Sequence, residues 1–227
     1  MNSEPLRLID LEYRPLPRDQ DFIRLIKLAP RSTSSRTPGV KEIVQCDLVT
    51  TPRSSCPPYT AISYSWGNND ANSLLAIGGQ LYRVGDTIEQ VLRQLQPPDD
   101  EETAFFWLDQ LCINQQDDAE KSDQVQKMRH IYSDAERVVA WLGPAADGSD
   151  MLLKHLQGIA EALNTDDHAA IYAAHSNASK PQEIARSFRA FCKRQYWTRL
   201  WVIQEYAVGK DLSQRLLLLT RWASSDC

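Results

Sequence analysis

Apolar positions in this chain first come in short β-like runs and later settle into helical spacing, and the order of these patterns predicts the architecture. Residues 22–28 (FIRLIKL) and 43–49 (IVQCDLV) are β-compatible runs separated by a loop rich in Pro, Ser, Thr and Arg, and they are expected to pair as a hairpin. Residues 59–66 (YTAISYSW) give the next strand, and residues 67–70 (GNND) end it with turn chemistry. Residues 74–77 and 81–84 flank Gly78 and Gly79, a hairpin signal because glycine reaches the positive φ that primed turns require. Asp86 then stands where a helix cap belongs. Glu89 completes a capping box, and Ile88, Val91, Leu92 and Leu95 follow at i, i+3, i+4, i+7. Pro97 and Pro98 end that helix.

Residues 105–108 (FFWL) are apolar on both faces, as a buried parallel strand must be, and they empty into the polar segment 109–115 (DQLCINQ). Val125, Met128, Tyr132 and Ala135 mark the inward face of another helix, whose wet face is expected to carry Glu120, Lys121, Asp123 and Lys127. Residues 138–142 (VVAWL) form a further apolar strand, stopped by Gly143 and Pro144. Strands alternating with helices predict an α/β fold, a parallel sheet with right-handed crossovers and helices on both faces, to which the N-terminal β-hairpins are added. Residues 145–181 read as a variable insertion, helical over 151–163. A final helix is expected over 184–208, with Trp197, Trp201 and Glu205 on one stripe.

The 227 residues, 42% of them hydrophobic, suffice for one core, so a single domain is expected. The net charge of −5 comes from interspersed acids and bases, with no basic stripe to neutralise phosphates, so nucleic acid is not an expected partner. The first residues lack a signal-peptide core, and no apolar run approaches the roughly 20 residues that span a bilayer. A soluble, intracellular protein without membrane attachment is expected. Cys46, Cys56, Cys112, Cys192 and Cys227 form an odd, scattered set that fits neither a disulfide framework nor a zinc site, and reduced thiols follow. His130, His155, His168 and His175 lack the H-E-x-x-H spacing, so no metal is expected.

The segments 61–67 (AISYSWG), 107–115 (WLDQLCINQ), 120–143 (EKSDQVQKMRHIYSDAERVVAWLG) and 196–205 (YWTRLWVIQE) resemble, in order, the signature blocks of the heterokaryon incompatibility (HET) domain. Residues 22–28 resemble that family's opening block, and the likeness runs over residues 8–209. It implies a single HET domain over residues 8–227, of the kind that acts in vegetative incompatibility and programmed cell death of filamentous fungi. A cytoplasmic location is implied, with self-association on activation or other incompatibility proteins as partners. The chain departs from the family pattern after Gly209, where a Cys-Gly strand and a Trp are usual. Residues 216–219 with Trp222 read either as a degenerate version of that ending or as a C-terminal truncation.

HET domains are similar, more distantly, to TIR domains, and this implies a TIR-like, flavodoxin-like fold. Residues 59–66 resemble the first TIR strand, 107–115 the second strand and its loop, and 138–143 the third strand. In TIR enzymes a glutamate four residues after a tryptophan cleaves NAD⁺, a spacing that Trp201 and Glu205 reproduce. The resemblance therefore implies an NAD⁺ glycohydrolase with Glu205 catalytic, NAD⁺ being substrate and no cofactor being required. The residues themselves point to the same place. Ligands of open α/β sheets bind beyond the carboxyl ends of the strands, where Ser63, Ser65, Trp66, Asp109, Asn114 and Gln115 fall. A carboxylate there stabilises an oxocarbenium-like state, and an aromatic stacks on the departing base.

Each candidate also has a structural reading. Trp66, Trp107, Trp141, Trp197 and Trp201 serve equally as core residues. Asp109 can brace its own turn, Asn114 and Gln115 can lock their loop to the main chain, and Glu205 can pair with Arg194 or Arg199. Cys112 has no basic neighbour in sequence to make it a nucleophile. Two functions therefore stand: an NAD⁺-cleaving enzyme, and a non-enzymatic module that transmits a signal by homotypic assembly.

Overall fold

The structure is a computed structural model that describes residues 11–17, 20–31, 42–66, 72–98, 103–164 and 181–198. Its strands are β1 (Phe22–Leu28), β2 (Val44–Pro52), β3 (Thr60–Tyr64), β4 (Ser73–Ile77), β5 (Gln80–Val84), β6 (Ala104–Trp107) and β7 (Arg137–Trp141). Its helices are α1 (Asp86–Leu95), α2 (Asp109–Cys112), α3 (Asp118–Asp134), α4 (Ser149–Asn164) and α5 (Pro181–Cys192). The strands form one seven-stranded sheet in the order β5-β4-β2-β1-β6-β3-β7.

The fold is α/β, but the sheet is mixed rather than wholly parallel. β3 runs parallel to β6 and β2 parallel to β4, whereas β1 is antiparallel to both β2 and β6, and β4 to β5. Both expected hairpins form, with Gly78 and Gly79 at positive φ in the second. The first hairpin is not an appendage, because β1 lies inside the sheet. Ile23, Leu25, Ile26 and Leu28 are wholly buried, and a strand that is apolar on both faces finds cover only in a sheet interior.

Helix α1 buries Ile88, Val91, Leu92 and Leu95, as its periodicity predicts. Its capping box does not form. Gly85 is the cap residue, Asp86 accepts a hydrogen bond from Ser73 Oγ (2.6 Å), and Glu89 pairs with Arg93 one turn on. Helix α3 also corrects the expected pattern. Val125 is exposed, and the inward stripe runs through Glu120, Gln124, Ile131 and Tyr132, so its first two positions are polar. Asp117 caps the helix, accepting from the amides of Ala119 and Glu120.

The chain divides into two compact units, one comprising residues up to Ile62 and from Trp66 to Val138, the other Ser63–Ser65 and residues from Val139 onward. In the first unit two tyrosines join α3 to β3 and the segment before it. Tyr59 donates to the Ile131 carbonyl (2.5 Å), and Tyr132 to that of Ile62 (3.1 Å). Trp107, fully buried, meets the Tyr132 ring edge-on with centroids 5.4 Å apart.

In the second unit Tyr196 packs with Ala140 and Leu142, and its hydroxyl shares a 2.7 Å hydrogen bond with Ser63. These contacts explain why the helix ends at Cys192 instead of running on through Thr198. After Cys192 the chain tightens into a 3-10 turn (Gln195–Thr198), which carries Tyr196 into the core, while Arg194 turns to the carbonyls of Leu142 (3.0 Å) and Ala146 (3.2 Å). The expected stripe of Trp197, Trp201 and Glu205 therefore does not begin on a continuous helix, and its last two members lie outside the described residues.

Truncation at Trp107 empties a closed site, so Trp107→Ala is expected to lower the unfolding free energy by about 3–5 kcal/mol. Tyr132→Phe, which removes only the hydroxyl bound to Ile62, should lower it by about 1 kcal/mol. Urea denaturation of the two variants against the parent checks both values.

Candidate functional site

Because β3 and β6 are parallel, with Thr60 opposite Phe106 and Ala61 opposite Trp107, the chain leaves both strands at the same end of the sheet. Trp66 lies just past β3, and Asp109 opens α2 just past β6. The indole Nε1 of Trp66 donates to Asp109 Oδ2 at 2.9 Å, while Asp109 Oδ1 accepts from the Gln110 amide at 2.7 Å. Gln115 Nε2 reaches back to the Asp109 carbonyl (3.0 Å). The structure thus brings together Trp66, Asp109 and Gln115 from the sequence-predicted set, at the position where α/β sheets receive ligands.

Asn114 has a different task. Its side-chain oxygen accepts from the Gln116 amide (3.1 Å) and shapes the turn into α3. Ser65 is half-buried and belongs with Ser63 to the other compact unit. Ser63 is fully buried and engaged with Tyr196. Trp201 and Glu205 lie outside the described residues.

Beneath the segment 109–117 lies a charged pair that sequence reasoning missed. Glu120, expected on the wet face of α3, is buried against Arg24 of β1, the two side chains being 7% and 3% exposed. Arg24 Nη2 donates to Glu120 Oε2 (2.9 Å), and Nη1 donates to Oε1. The guanidinium also donates to the carbonyls of Cys112 (3.2 Å) and Arg14 (2.6 Å), and it sits 4.9 Å over the Tyr13 ring. Glu120 Oε1 in turn accepts from the Asn114 amide (2.7 Å). The available signal was Arg24 itself, a charge flanked in its strand by the core residues Ile23 and Leu25. Such a charge requires a buried partner of opposite sign.

Among families of known sequence, one described as "Heterokaryon incompatibility protein (HET)" matches residues 59–205. The chain is also 30% identical over 224 residues to the Heterokaryon incompatibility protein 6, OR allele, of Neurospora crassa, a match that covers 83% of this chain and 32% of that protein. The chain therefore spans about a third of the length of that relative. No solved structure matches it. The family match begins at Tyr59, so it contains Trp66, Asp109 and Glu120 but not Arg24.

Among the described residues no three His, Cys, Asp or Glu side chains cluster as metal ligands, and no helix is long and apolar enough to cross a membrane. The thiols are as distinct in exposure as the sequence is uninformative about them. Cys112 lies at the site but is buried, and burial above all pushes its pKa up to about 12, which withholds the thiolate a nucleophile needs. Burial raises Cys46 equally, to about 12. Cys192 is exposed. With a maleimide at pH 7, Cys192 should label rapidly, whereas Cys46 and Cys112 should label only after denaturant is added. Peptide mass mapping of the labelled positions checks the order.

Proposed function

The chain belongs to the heterokaryon incompatibility (HET) family, and from that premise we propose that it acts in the cytoplasm in fungal self/non-self recognition and transmits a cell-death response. The name of the Neurospora crassa relative supports this reading, as does a family match that runs from Tyr59 to Glu205.

The chemistry proposed for the signal is hydrolysis of NAD⁺. The observation that carries it is the Trp66–Asp109 hydrogen bond at the shared carboxyl end of two parallel strands. Asp109 holds the indole by its N–H, which leaves the ring face to stack on a flat heterocycle. Gln115 braces the same turn from below. In this scheme the bond between the ribose C1′ and the nicotinamide nitrogen breaks, and its electron pair leaves with neutral nicotinamide. Water forms the new C–O bond and gives its proton to solvent. The Glu205 carboxylate stabilises the positive charge that develops on the ribose. Subunits of this chain, or other incompatibility proteins, would assemble to switch the reaction on.

A second reading is favoured by a specific observation. The described polar groups of this end, Asp109, Asn114 and Gln115, each hold main chain or a neighbouring side chain. A domain whose polar ends are spent on bracing suits a module that signals through assembly alone.

NAD⁺ consumption by the purified protein at high concentration separates the two. The enzyme reading predicts turnover that falls about 10²–10³-fold in Glu205→Ala, the size of effect that loss of a transition-state-stabilising group produces. It predicts a smaller loss in Trp66→Ala. Circular dichroism must show each variant folded. Absence of turnover in the folded parent, assembled or not, rejects the enzyme and leaves the assembly module.

A further inference from the structure

The segment between β6 and α3 is gripped from below at three successive places. Tyr13 Oη donates to the carbonyl of Leu111 (3.1 Å), Arg24 to that of Cys112 (3.2 Å), and Glu120 accepts the amide of Asn114 (2.7 Å). Arg24 also takes the carbonyl of Arg14, so the segment 11–17 is drawn to the same place. Every one of these bonds ends on the main chain of the loop or of that strap.

We propose that Arg24 and Glu120 are positioning residues for the Asp109 end of the site, with residues 11–17 as a strap that completes their cradle. Burying an ion pair is a poor way to gain stability, because desolvation cancels most of the attraction and apolar side chains of similar volume commonly do as well. What apolar side chains cannot do is donate to the carbonyl of Cys112 and accept the amide of Asn114. The particular contribution of this pair is direction. It fixes the loop so that Asp109 meets the Trp66 indole instead of wandering from it. Part of the grip comes from before the family-matched region, since Tyr13 and Arg24 precede Tyr59, whereas Glu120 lies within it. The consequence for turnover rests on the NAD⁺ reading, whereas the ordering of the loop does not.

Hydrogen exchange tests the ordering directly. In the double variant Arg24→Met/Glu120→Leu, the chain is expected to fold with a melting temperature near that of the parent. The amides of residues 110–115 should nevertheless exchange about ten-fold faster or more, as loss of one or two hydrogen bonds implies, with α1 and β4 unchanged. Glu120→Gln, which keeps an oxygen for the Asn114 amide, should restore part of that protection. Unchanged exchange over 110–115 in a folded double variant overturns the proposal. Should the double variant fail to fold, Tyr13→Phe removes one hydroxyl and no volume. Faster exchange confined to the same loop then supports the strap, and no change there overturns it. NAD⁺ assays on the same samples address the enzyme reading separately. If the parent turns over, the double variant should lose kcat with KM little altered. If the parent does not turn over, that reading falls and the exchange result still decides this one.

Discussion

The buried contact between Arg24 and Glu120 is the constraint on which the segment between β6 and α3 depends. A guanidinium and a carboxylate out of water are tolerable only when their remaining hydrogen-bonding capacity is used, and here it is used on the main chain around them. β1 lies beside β6 in the interior of the sheet, where its apolar residues find cover and its arginine meets α3. The consequence of the pair is local. The segment after β6 has its carbonyls and amides assigned, so the polar side chains at its start have a fixed place to stand.

From that fixed place the candidate site takes its shape. Parallel pairing of β3 with β6 delivers two chain exits to one end of the sheet, and a short helix at one of them presents Asp109 to the indole at the other. The aspartate is thus held by its own helix and by the tryptophan together. Cys112 is removed from chemistry by burial, and Asn114 serves the turn. The Trp66 indole at this end has its orientation set by a carboxylate.

Most of the fold was legible because its elements are strongly patterned. The FIRLIKL run, the Gly78-Gly79 turn and the apolar 105–108 and 138–142 segments each became the element expected of them. Features decided by which partner a side chain takes were not legible. Glu120 sits in a helix face dense with charges, and only the position of β1, 96 residues away, makes it a buried residue. Asp86 and Glu89 carry the letters of a capping box, yet Ser73 and Arg93 claim their side chains first. Helix α5 ends at Cys192 because Tyr196 has a core site and a serine to bind, which no local spacing announces. Strand-end logic anticipated that Trp66, Asp109 and Gln115 come together at one end of the sheet, whereas the pair beneath them required the three-dimensional register.

The claim that most needs direct examination is that the end of the sheet marked by Trp66 and Asp109 receives NAD⁺. Nitrogen-15 NMR of the tryptophan indoles is suited to it, with the Trp66 signal assigned by its disappearance in Trp66→Phe. The account predicts that titrated NAD⁺ shifts the Trp66 indole signal saturably, because a ring stacking on that face perturbs an N–H already bonded to Asp109. An unmoved Trp66 signal at NAD⁺ concentrations where the nucleotide is bound or consumed would contradict it.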